Sequence, residues 1–273
     1  TGSSTFYHGT FVSSIAAGNL GAGAVMGVAP EASLHLHSTI GASGNKFQPT
    51  WWATGTADAE GDGAVVQNNS WGYSDDTKNG STATSTISDL ITHQSDNSTT
   101  AAETLVAYQS IDTDGDGTND IFSNTSTVAN WNTYIDALNS FQDTGVIVFA
   151  LSNQSYHADA DIAAGLPEIS TNLQEAWINV ANIDVTGTGA PADNGYELRS
   201  APCGSTAEYC LGADGWNILG AGGNEYSVGG FDYSVSIGTS YAAPQVSGAV
   251  ALLATHFPNH SPEQLADRLL ASA

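Results

Sequence analysis

The stretch "TVANWNTYIDALNSFQDTGVIVFALSNQS", residues 127–155, restricts the possible folds more than any other part of the chain. Its first half carries apolar side chains at 128, 131, 135, 138 and 141, a helical period that closes at Gly145. From Val146 to Leu151 no residue is polar, and the run is rich in β-branched side chains. A strand of that kind must be covered on both faces, as in a parallel sheet. "AVVQNNSWG" (64–72) has the same character, and "EAWINVANID" (175–184) is a further strand candidate. "GVAPEASLHLHSTIG" reads as a turn into a strand with alternating Leu34, Leu36 and Ser38.

Helical patterns lie between these runs. "HGTFVSSIAAG" (8–18) places Phe11, Val12 and Ile15 at helical spacing before a Gly18 stop. Residues 244–256 and "SPEQLADRLLAS" predict two more helices, the second opened by Ser261 with Pro at its first position. Strands alternating with helices imply an α/β fold with a mostly parallel central sheet and helices on both faces. Ligands of such sheets bind beyond the carboxyl ends of the strands.

The 273 residues, 41% hydrophobic, suffice for one large core, so a single domain over 1–273 is expected. Between about 73 and 127 the periodicity fades into Ser, Thr, Asn and Asp, which predicts a polar surface insertion. No apolar run reaches the roughly 18 residues that a membrane-spanning helix needs. Four Lys and Arg stand against 28 Asp and Glu, a net charge of −24. Such a surface excludes nucleic acid as a partner, because duplex binding requires clustered cations to displace counterions. It suits an exported, soluble protein. Cys203 and Cys210 enclose a loop of six residues that a disulfide can close if the chain turns at Gly204-Ser205. A reduced, buried pair is the other reading, and the bridge would favour an oxidising compartment.

Within the polar stretch stands "DTDGDGTND", where Asp112, Asp114, Asp116 and Asp120 occupy the first, third, fifth and ninth positions. With the Thr118 carbonyl at the seventh, this spacing wraps a loop around one hard cation, and calcium is the expected ion. The twelfth position is Ser123 rather than Glu, so the pattern departs from an EF-hand.

Three separated segments could supply a nucleophilic machine. Ser240, in "GTSYAAPQVSGAVALLATHF", precedes a helix whose free N–H groups favour developing negative charge. His8 also opens a helix and could act as its base. Asn153 follows an apolar strand, where its amide could donate to an oxyanion.

Taken together and in this order, these segments resemble the subtilisin-like serine proteases, the subtilase family. "HGTFVSSIAAG" is similar to the family's histidine motif, "GTSYAAPQVSGAVALL" to its serine motif and "FALSNQS" to its oxyanion-asparagine turn. "GVAPEASL" and "NNSWG" resemble intervening blocks. "VVQNNSWG", "LPEISTNLQEAWINVANID" and "CGSTAEYCLGADGWNILGAGG" look like the bacterial autotransporter-type branch.

The resemblance implies a subtilisin-like three-layer fold and a secreted or cell-surface endopeptidase acting on polypeptides. Ser240 would be the acylating nucleophile, His8 the general base and Asn153 the oxyanion donor. Ser70, Trp71 and Gly72 would pair with the substrate backbone. Phe149, Ala150 and Leu151 would wall an apolar pocket for the residue before the scissile bond. The family's third catalytic residue is an Asp on a strand upstream of the histidine motif, and nothing before His8 supplies it. That N-terminal strand is therefore expected on polypeptide outside these residues, cut but still bound, or else the chain is a catalytically inactive, calcium-stabilised relative that binds peptides or partners.

Overall fold

In the computed structural model, residues 7–19, 25–38, 48–72, 86–109, 126–185, 195–228 and 231–273 are described. His8–Ala17 forms α1, burying Phe11, Val12 and Ile15, the apolar positions that predicted it. Pro49–Gly61 forms α2, with Pro49 at its start, where the missing N–H costs nothing. The first strand, β1, is Val66–Asn69. Helices α3 (Ile87–Asn97) and α4 (Ala101–Tyr108) follow, each opened by a threonine capping box, Thr86 with Asp89 and Thr100 with Glu103. The long α5, Val128–Gln142, leads into β2, Val146–Ala150. A single turn, α6 (Leu166–Ile169), precedes β3, Trp177–Asp184. Then come β4 (Glu197–Leu198), β5 (Cys210–Asp214), and the hairpin of β6 (Ile218–Val228) and β7 (Phe231–Ser236). Two helices close the chain: α7, Thr239–His256, and α8, Pro262–Leu270, whose N-cap is Ser261.

Strands β1, β2, β3 and β5 lie side by side and parallel, with β4 antiparallel to the end of β3. The alternation within β2 explains why all five of its residues are apolar. Ile147 and Phe149 face a core built with Trp52 of α2, Ile87 and Leu90 of α3, Leu105 of α4, and Trp131, Leu138 and Phe141 of α5. Val146, Val148 and Ala150 face the opposite core, under Ala242, Ala243, Val246 and Val250 of α7 and Leu265 of α8. The sheet is thus the middle of three layers, and no solvent-facing side is left for polar residues.

Two expectations need correction. Leu34 and Leu36 are 49% and 71% exposed and form no strand; the stretch 32–38 lies along α2 instead, with His35 Nδ1 bonded to Asp62 at 2.7 Å. A strand needs a partner, and among the described residues this segment pairs with none of the strands. The stretch 73–127, expected to be a surface insertion, contributes α3 and α4, and their Ile87, Leu90 and Leu105 are fully buried in the larger core. Short helices that bury only two or three residues each leave a weak periodic signal.

Candidate active site

Helix α7 begins where the carboxyl ends of β1 and β2 open. Gly238, at φ +152°, makes the bend into it, and a side chain there would press on Asn153 Oδ1 at 3.0 Å. The next residue ties helix to strand. Thr239 N–H donates to Asn153 Oδ1 at 2.8 Å, and its hydroxyl donates to the Leu151 carbonyl at 2.6 Å while lying 3.0 Å from the same Asn153 oxygen. With Oδ1 occupied, the exposed Asn153 side chain is oriented so that its NH₂ is the free donor. Ser240 follows within the first turn, whose N–H groups have no intrahelical partners.

A second set of bonds fixes the other side of the serine. The Ser240 hydroxyl donates to the Ser70 carbonyl at 3.2 Å, and the Ser70 hydroxyl donates back to the Ser240 carbonyl at 2.9 Å. Asn68 Nδ2 donates to Ser70 Oγ, and Ser247 Oγ donates to Asn68 Oδ1, both at 2.9 Å. The end of β1 is thereby latched to α7 through side chains from 68 to 247.

His8 opens α1, which packs on α7, so the two helix starts come together. Its ring centroid lies 5.9 Å from that of Tyr241, the residue after Ser240, and Phe11 rests on the same tyrosine at 4.5 Å. The Ala221 N–H donates to Ser14 Oγ at 2.9 Å and holds β6 against α1. Half-burial strips water from the His8 ring, and this desolvation lowers its pKa below the usual 6.5. Among the described residues no carboxylate bonds to it, so the neutral imidazole is favoured.

Beside Ser240 lies a pocket of about 140 Å³, lined by Trp71 and Gly72 from one strand end and Ala150, Leu151 and Asn153 from the next. It is not the apolar slot that was expected, because Asp161 forms part of its lining. Phe149 stands behind this wall, fully buried and stacked on Trp177 at 5.0 Å. Burial raises the Asp161 pKa from 3.8 to about 7, against the pull of N–H bonds from Ala164 and Ala163. Sequence reading overlooked Asp161; the available signal was the second acid of "DAD" followed by apolar Ile162-Ala163-Ala164.

Asp159, two residues earlier, anchors the loop that carries it. The Ser88 and Ser205 hydroxyls and the N–H groups of Ser205 and Ala160 all donate to its carboxylate. Ser205 lies in the turn that the bonded pair Cys203–Cys210 closes. The calcium candidates Asp112, Asp114, Asp116, Thr118 and Asp120 lie outside the described residues.

A model of the subtilase family matches residues 3–273. An extracellular serine protease of Serratia marcescens is 30% identical over 136 residues, which is 44% of this chain and 12% of that protein; the matched part is a small fraction of that relative's length. Among solved structures, the prenylagaramide maturation protease PagA superposes with a TM-score of 0.58 at 20% identity, covering 100% of this chain and 74% of that one. Sphericase gives 0.59 at 19%, covering 97% and 69%. Fervidolysin from Fervidobacterium pennivorans, described as a keratinolytic enzyme related to subtilisin, gives 0.59 at 21%, covering 95% and 31%. At these identities the structural likenesses speak for the fold. The family model spans nearly every residue of a three-layer sheet whose strand ends meet a helix-borne serine, and on that ground the chain belongs to the subtilase family.

Proposed function

We propose that this chain belongs to a serine endopeptidase that cleaves polypeptides through an acyl-enzyme on Ser240. The observation that carries the reading is the bonding of Thr239 to Asn153 and Leu151, which sets a free amide donor beside the serine at the mouth of a pocket. In the reaction, Ser240 Oγ attacks the carbonyl carbon as its proton passes to the His8 imidazole. The tetrahedral oxyanion is held by Asn153 Nδ2 and the Ser240 N–H, and loss of one such donor costs roughly 3 kcal/mol of barrier. The His8 imidazolium then protonates the leaving amine, and water attacks the ester by the reverse path. Ser70, Trp71 and Gly72 run along the cleft where an extended substrate would add as a strand.

Among the described residues no carboxylate orients His8, and a triad without one loses about ten-thousand-fold in rate. We assign that role to a strand from polypeptide outside these residues, docking on β1. Supporting this, β1 has β2 on one edge and, among the described residues, no strand on the other. Export to the medium or the bacterial surface, on the autotransporter plan, is supported by the extracellular relative and by the Cys203–Cys210 bridge. A second reading, an inactive peptide-binding module, draws on one observation: the Ser240 hydroxyl donates to Ser70 rather than to His8.

A fluorophosphonate probe separates the two. On the full-length protein it is expected to label Ser240 stoichiometrically by intact mass, with no label on Ser240→Ala. A full-length protein that stays unlabelled would replace the enzyme by the module.

A further inference from the structure

The pocket beside Ser240 contains a group that acyl transfer does not use. Asp161 is 2% exposed. Its Oδ1 accepts from the N–H groups of Ala163 at 2.9 Å and Ala164 at 3.2 Å, while Oδ2 is buried with no hydrogen-bond partner. The carboxyl faces Gly72: a Cβ built there would stand 2.9 Å from Oδ2, so any side chain at 72 would cover the bare oxygen. A buried carboxyl oxygen without a donor is destabilising, and the strongest available partner is a charged N–H group.

The described cations of the chain are engaged elsewhere. Arg199 pairs with Glu197 at 2.6 Å and Asp184 at 3.1 Å, and Arg268 lies over Phe257. The lining, which includes Trp71 and the small residues Gly72 and Ala150, suits a slender cation. The volume of about 140 Å³ is close to the ~150 Å³ known to admit a benzene ring.

We propose that Asp161 determines specificity: the pocket receives a lysine or arginine side chain whose N–H groups bind Oδ2, so that the enzyme cuts after basic residues. The cation supplies the partner that Oδ2 lacks, and in doing so lets the carboxyl ionise. Gly72 keeps the approach open. The cleavage half of this proposal rests on Ser240 as nucleophile, whereas the binding half does not.

The test begins with binding, which needs no catalysis. p-Aminobenzamidine, fluorescent when bound, is titrated into the full-length protein beside its neutral isostere p-aminobenzamide. The amidine is expected to saturate and to bind about tenfold or more tighter than the amide, a preference lost in Asp161→Asn. Equal binding of the two compounds, no saturable amidine binding, or an unchanged preference in Asp161→Asn would each overturn the proposal. If Asp161→Asn does not fold, Gly72→Ala supplies the comparison, since its methyl group would block the carboxyl. On protein that the fluorophosphonate probe labels, peptides differing only before the scissile bond should be cut at least roughly tenfold faster after Arg or Lys than after Phe or Leu. Labelled enzyme with no basic preference sinks this inference alone. Amidine binding without labelling sinks the protease reading alone.

Discussion

Asp161 holds a carboxyl that the fold buries almost completely, and that has a measurable consequence for stability. Its pKa rises from 3.8 unfolded to about 7 in the fold, so between those values the unfolded chain releases a proton that the folded chain keeps. Folding is therefore favoured less and less as pH climbs from about 4 to about 7, and at about 1.4 kcal/mol per unit the loss approaches 4 kcal/mol. Asp159, the nearest acid in sequence, is held by the Ser88 and Ser205 hydroxyls. Asp161→Asn keeps an oxygen for Ala163 and Ala164 and removes the titration. Urea unfolding at pH 5 and pH 8 should show the variant gaining on the parent by about 2–3 kcal/mol at the higher pH, since part of the loss is already complete at pH 5; an equal difference at both would mean Asp161 is already ionised. Ser240, Asn153 and His8 were legible as residues because their motifs are contiguous. Asp161 was not, since nothing local distinguishes a buried acid from one capping a surface turn.

Among the elements, β2 and α7 do the positioning, and their interiors are what a variant should perturb. Phe149 lies on the face of β2 away from the pocket, stacked on Trp177 and 5.4 Å from Trp71. Phe149→Ala should cost about 3–5 kcal/mol in denaturant unfolding, as a cavity between large rings does not collapse. Its effect on amidine binding should be small; a loss of binding at unchanged stability would put Phe149 back in the pocket wall. Strands β2 and β3 and helices α1, α5, α7 and α8 could be read from period and caps, and β1 from the short apolar run that leads into it. Helices α3 and α4 and the segment at 32–38 could not. The two helices bury only a few residues each, and 32–38 has a strand pattern with no strand to join.

For the whole molecule, a net charge of −24 means that folding concentrates like charges, which divalent cations relieve best where carboxylates are already clustered. The 112–120 segment is the expected place, and isothermal titration after chelation should show calcium binding that Asp114→Asn weakens. No heat at millimolar calcium would end that expectation. The sequence by itself determined the fold class, the two-sided burial of the central strands and the segment bearing the proposed nucleophile, because apolar period and short motifs are properties of neighbours along the chain. Only the tertiary structure decided that Phe149 serves the core, that Leu34 and Leu36 stay exposed and that a carboxyl borders the pocket. Those outcomes depend on which distant surface each side chain meets, and a repeat of apolar residues specifies that a face will be covered without specifying by what.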